Sequence, residues 1–185
     1  SKVRVQLNLE GNPALVRPGE ALTFRVSYHN EESQPIEQVQ LKTDLPSEFF
    51  VLGTLSSAEA RRQSEQLVWT GESLPHLRRL EPGSSGEVKF TVRLKRPIVL
   101  ASHATRVNLS AYAEASYILP SRTEDLLTVR GGLPPVLLET VVGIEAAARY
   151  FAFGGEQLGR GPLPPRVGRS TSYWIFLKLT NTSNT

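Results

Sequence analysis

Apolar residues recur at every second position through most of the first 130 residues of the chain. Val3, Val5, Leu7 and Leu9 alternate with Arg4, Gln6 and Asn8, and Leu22, Phe24, Val26 and Tyr28 alternate with Thr23, Arg25 and Ser27. The same period returns at residues 39–41, 88–94 and 107–113. A period of two sends one set of side chains to a core and its neighbours to solvent, which predicts half-buried strands. Turn-forming clusters separate them: Arg17-Pro18-Gly19-Glu20, His29-Asn30-Glu31-Glu32-Ser33 and Glu81-Pro82-Gly83-Ser84-Ser85-Gly86. In these, proline fixes φ and glycine accepts positive φ. Residues 57–66 come nearest to a helix, but their apolar face is too thin to anchor one, so a loop or a single turn is expected there. Many short strands with regular turn signals predict an all-β protein, a two-sheet antiparallel sandwich.

Near residue 130 the pattern breaks. Arg130-Gly131-Gly132-Leu133-Pro134-Pro135 joins a glycine pair to a proline pair, which reads as a stiffened linker over residues 131–135. Residues 136–153 start afresh with Val141, Val142, Ile144, Tyr150, Phe151 and Phe153 and are read as strand, although Ala146-Ala147-Ala148 also suits a helix. An internal repeat then governs the tail. Residues 19–30 run from a Pro/Gly turn through Leu22, Phe24, Val26 and Tyr28 to Asn30; residues 168–181 run from a Pro/Gly turn through Tyr173, Ile175, Leu177 and Leu179 to Asn181. Repetition of one strand unit is the mark of a tandem array. The expected organisation is therefore a complete sandwich over residues 1–130, a linker, and the opening strands of a second similar module over residues 136–185. A partial sandwich leaves its inner face bare and calls for a partner.

The order of these motifs resembles a known series. Residues 19–30, then Val39-Gln40-Leu41-Lys42-Thr43-Asp44-Leu45-Pro46, then Leu67-Val68-Trp69, then Leu80-Glu81-Pro82-Gly83 leading into the strand at residues 88–94 are similar to the immunoglobulin-like conserved repeat domain, a domain of unknown function found on bacterial and archaeal surface proteins. The likeness covers roughly residues 15–95 and 160–185. The family's usual Thr-Asn turn is present at Thr180-Asn181 but replaced by His29-Asn30 in the first copy. The resemblance implies an immunoglobulin-like β-sandwich and an extracellular or cell-surface protein of tandem modules, a stalk, adhesin or fibre scaffold, with no catalytic residue. Trp69 is expected between the sheets, as a large aromatic in an alternating strand usually is.

Composition narrows the chemistry. The 185 residues include no cysteine, which excludes disulfides, thiolate metal sites and cysteine nucleophiles. They include no methionine, so the chain is expected to be a processed or trimmed piece. The net charge of +3 is too small to imply nucleic-acid binding. His29, His76 and His103 lack any metal-binding spacing, Asp44 and Asp125 are the sole aspartates, and neither a nucleophile elbow nor a phosphate-binding loop is present. No cofactor and no metal are expected, and the reading is non-enzymatic. Arg61-Arg62 and Arg78-Arg79, with Arg160, Arg166 and Arg169, offer a basic stripe as the competing view. Expected partners are neighbouring modules and other protomers joined by strand exchange. The alternative is a carbohydrate-binding module holding surface glycans on Tyr112, Tyr117, Tyr150 and Trp174.

Overall fold

A computed structural model describes residues 3–96, 98, 107–139 and 142–181. Fourteen strands fill it: β1 (Val3–Leu9), β2 (Leu15–Val16), β3 (Ala21–Asn30), β4 (Ile36–Asp44), β5 (Phe50–Ser56), β6 (Arg61–Gln63), β7 (Gln66–Trp69), β8 (Arg79–Leu80), β9 (Ser85–Leu94), β10 (Tyr112–Leu119), β11 (Arg122–Gly132), β12 (Leu137–Leu138), β13 (Val142–Arg149) and β14 (Trp174–Asn181). A short 3-10 turn, Pro75–Arg78, precedes β8. The described residues divide into two compact units that meet in sequence between Glu139 and residue 140.

In the first unit two sheets face each other. One has the order β1-β3-β9-β5; the other runs β11-β10-β4-β7-β6, with β8 beside β4. The alternation explains the layers. Leu22, Phe24, Val26 and Tyr28 of β3 are buried while their neighbours are less so, and Val88, Phe90, Val92 and Leu94 of β9 repeat the pattern. β3 pairs with β1 on one edge and β9 on the other, so the two most regular apolar strands lie side by side. Trp69 from the second sheet is fully buried and meets Phe90, which stacks on Phe24, which in turn meets Phe50 edge-on. The indole fills the space between sheets, as its place in the sequence implied.

Four expectations are corrected. Residues 57–66 are not merely loop: β6 and β7 form a hairpin there, turning at Ser64 with φ 52°. Arg61, Arg62 and Gln63 are all exposed, so no apolar alternation could announce the strand. The strand expected at residues 107–113 begins instead at Tyr112; before it, an extended stretch makes one bridge, Asn108 to Leu137. Gly131 and Gly132 are not a linker but the end of β11, paired with Ala113 and Tyr112. Gly131 is glycine because β11 closes on β1: a Cβ there would stand 2.2 Å from the Val5 carbonyl oxygen. Finally, residues 136–139 belong to the first unit, since Val136 and Leu138 are buried in its core and β12 pairs with β2.

The second unit is built on an antiparallel ribbon of β13 and β14. Ala146, Ala147 and Ala148 are in strand, not helix. The ribbon reproduces the register of β1 with β3. Val3 pairs with Asn30 and Val142 with Asn181; inward from those pairs, Val5–Tyr28, Leu7–Val26 and Leu9–Phe24 match Ile144–Leu179, Ala146–Leu177 and Ala148–Ile175. The repeat seen in the sequence is thus also a repeat of pairing. The connection between β13 and β14 folds around Tyr150, whose hydroxyl donates to the Gly161 carbonyl and accepts from Gln157 Nε2 at 3.1 Å.

Candidate functional site

The four aromatics proposed to face a ligand divide between the units, Tyr112 and Tyr117 in the first and Tyr150 and Trp174 in the second. Tyr112 is 38% exposed and lies under the Arg130 guanidinium, 4.1 Å from its ring centre, whereas Tyr117 on the same strand is 1% exposed. Five residues apart on a strand means opposite faces, so Tyr117 points into the core. Tyr150 is buried by its own connection, against Phe151 and Tyr173. Trp174, 58% exposed, belongs to the second unit. A trough on the second sheet is lined by residues that include Gln38, Gln40, Gln63, Arg61, Thr70 and Glu72 and by no aromatic ring. It gives a sugar nothing to stack upon.

The basic pairs are spent locally. Arg61 meets Glu72 at 3.0 Å, and Arg62 donates to the carbonyls of Leu52, Gly53 and Ser64. Arg78 donates to the Gly71 carbonyl, and Arg79 bridges Glu37 and Glu81, which raise its pKa through hydrogen bonds and charge, Glu81 foremost. Of the histidines, His29 sits half-buried on β3, His76 stacks on Tyr28 and shares a hydrogen bond with its hydroxyl, and His103 lies outside the described residues. Burial, then the charge of Glu59, pushes the Tyr28 hydroxyl up to about 12. Among the described residues no group of three His, Asp or Glu side chains could hold a metal ion.

What the first unit does present is a closure between β2, the short strand that follows β1, and β12, its last strand. β2 and β12 pair in parallel, Leu15 with Leu137 and Val16 with Leu138. The Leu137 amide donates to the Ala14 carbonyl at 3.0 Å and the Glu139 amide to the Val16 carbonyl at 2.8 Å. On its other side the same segment is tied to residues 107–109 by two further backbone bonds, Leu109 to Val136 and Leu138 to Val107, both donated by the first-named amide. Arg17 Nε meets Glu139 Oε2 at 2.7 Å across the pair. Neither strand could be foreseen from the sequence, because two residues carry no period. The pairing is local to the point where the chain leaves the unit.

A second feature is the ribbon of β13 and β14. Ile144, Ile175, Leu177 and Leu179 are 66–70% exposed, although their counterparts Val5, Phe24, Val26 and Tyr28 in the first unit are buried. Here the sequence did carry a signal, since Ile175, Leu177 and Leu179 repeat the alternation of β3.

No protein-family model and no curated protein matches the chain. Solved structures do. The major pilin subunit BcpA of Bacillus cereus is similar over 100% of this chain and 57% of its own, at 8% identity and TM-score 0.57. Its D312A form is similar over 97% and 56%, at 7% identity and TM-score 0.54. A GH20 exo-β-N-acetylglucosaminidase from Vibrio harveyi reaches a TM-score of only 0.41 over 76% of this chain and 20% of its own, at 12% identity, too distant to argue from. The chain spans between 20% and 57% of the length of these proteins. At such identities the likeness is one of fold: an immunoglobulin-like antiparallel β-sandwich, followed by the first strands of a second.

Proposed function

We propose that this chain is a non-enzymatic structural module of an extracellular or cell-surface repeat protein, one that transmits tension along a stalk or fibre. The observation that carries this reading is the parallel pairing of β2 with β12. Tension applied at Ala14, just ahead of β2, and at Glu139 pulls β2 from its N-terminal end and β12 from its C-terminal end. In a parallel pair those two points lie at opposite ends of the ladder, so the load runs along the strands and strains the ladder bonds together. In an antiparallel hairpin pulled from its open end, the bonds break one at a time.

Three further observations support the same reading. The ladders of β3 with β9 and of β10 with β4 join strands distant in sequence, so the unit cannot be shortened or extended without breaking long-range pairs. The repeated register of β13 with β14 fits a tandem array. The fold likeness to a major pilin subunit is to a protein that is itself a structural component by name. Single-molecule extension tests the proposal: pulled through Ala14→Cys and Glu139→Cys, the β2–β12 pair should part in one sharp event. Leu137→Pro, which removes the amide bonded to Ala14, should lower that unfolding force while leaving the sandwich folded. An unchanged force would overturn the mechanical reading.

A further inference from the structure

We propose that the bare face of the β13–β14 ribbon is an interface that closes on the same face of a second copy of this chain. Successive side chains of a strand point to opposite sides, so the ribbon has two faces. One carries Glu145, Ala147 and Arg149 opposite Lys178, Phe176 and Trp174. It is finished as a solvent face: Lys178 meets Glu145 at 3.5 Å, and the Arg149 guanidinium covers the rings of Phe153 and Phe176 at 3.8 and 5.5 Å. The other carries Ile144, Ala146 and Ala148 opposite Leu179, Leu177 and Ile175, with Tyr173 beyond, and holds no charged side chain.

That second face corresponds, pair for pair, to the face of β1 and β3 that the first unit buries. A two-stranded ribbon is marginal without a layer against it. Eleven of the sixteen large exposed apolar side chains among the described residues lie in the second unit, and those of the first unit are scattered over β2, β5, β10, β11 and β12. Among the described residues no other face is so continuously apolar, and the ribbon of a second copy supplies a matching one. The exposures leave roughly 600–700 Å² of apolar surface on the face, so two copies would bury on the order of 1,300 Å², within the range of specific interfaces. A two-fold arrangement suits it, because an uncharged face meets itself without repulsion.

The test uses the whole chain and does not involve β2 or β12, so it can fail independently of the mechanical proposal. Sedimentation from about 1 to about 100 µM, the weak end of the range open to interfaces of this size, should show reversible passage to twice the 20.4 kDa of one chain. Leu177→Lys should raise the dissociation constant at least tenfold, and Phe176→Ser, on the finished face, should not. The chain lacks cysteine, so Ala146→Cys should cross-link two copies under oxidation and Ala147→Cys should not; this pair answers the question even if Leu177→Lys misfolds the ribbon. A monomer throughout with no cross-link, equal disruption by Phe176→Ser, equal cross-linking through Ala147→Cys, or assemblies larger than a dimer would each overturn the proposal.

Discussion

Asn30 ends β3, is fully buried, and bonds in three directions. Its Nδ2 donates to the carbonyls of Leu80 at 2.9 Å and Gln34 at 3.2 Å, and its Oδ1 accepts the Glu32 amide at 2.9 Å. Its backbone is held as well, donating to Ser84 and accepting from Gly83. Leu80 belongs to β8 in the second sheet, so this one side chain ties the two layers together at one end of the sandwich. Asn30→Ala would leave the Leu80 carbonyl buried and unbonded, at about 1–3 kcal/mol, and remove two part-buried bonds worth about 0.5–1.5 kcal/mol each. The expected loss is roughly 2–6 kcal/mol, a large share of a typical 5–15 kcal/mol. Urea unfolding followed by Trp69 fluorescence in a Trp174→Phe background reads the first unit alone, and the midpoint should fall by about 1–3 M. Asn30→Asp sharpens the test. Its carboxyl would face two carbonyls in a buried place, raising its pKa above the unfolded ~3.9. The folded state then binds the extra proton, so the variant should stand closest to the parent in acid and lose ground as pH rises through about 4 and beyond. A loss below about 0.5 kcal/mol for Asn30→Ala, or no pH trend for Asn30→Asp, would refute the assignment.

Two other perturbations have definite signs. Because the Tyr28 hydroxyl is raised to about 12 by burial and by Glu59, its contribution should be intact below the unfolded pKa near 10 and fade as pH climbs from about 10 through 12. A stability profile of Tyr28→Phe should be flatter than the parent's over that window. Gly131→Ala should destabilise by about 1–3 kcal/mol, since the new methyl would press on the Val5 carbonyl at 2.2 Å. Gly132→Ala, whose nearest neighbour is the Tyr112 ring at 3.2 Å, should cost much less in the same thermal melts. Two equal and small effects would mean that the glycine pair is a hinge after all.

Strands whose alternation exceeds about five residues were legible from sequence, because one buried face imposes the period on the residues themselves. β1, β3 and β9 are of this kind, and so is the burial of Trp69. What stayed hidden depends on contacts between distant segments. Gly131-Gly132 beside two prolines looks locally like a linker, and only the approach of β1 shows why side chains are excluded there. β2 and β12 are too short to have a period, and their pairing unites residues over 120 apart. For one pair of the aromatic candidates the sequence did contain the parity: Tyr112 and Tyr117 cannot share a face of one regular strand. The bare ribbon was legible in outline from the repeat. Its finished and unfinished faces emerged only once the Arg149 contacts were in view.

The proposal of a tension-bearing module depends on the direction in which β2 and β12 are strained. With no native cysteine, attachment points can be placed at will, and Ala14 and Pro135 are both exposed at the same end of the parallel pair. Pulling through Ala14→Cys and Pro135→Cys should peel the strands apart and part them at a distinctly lower force than pulling through Ala14→Cys and Glu139→Cys, which shears the same pair. Equal forces in both directions would contradict the proposal.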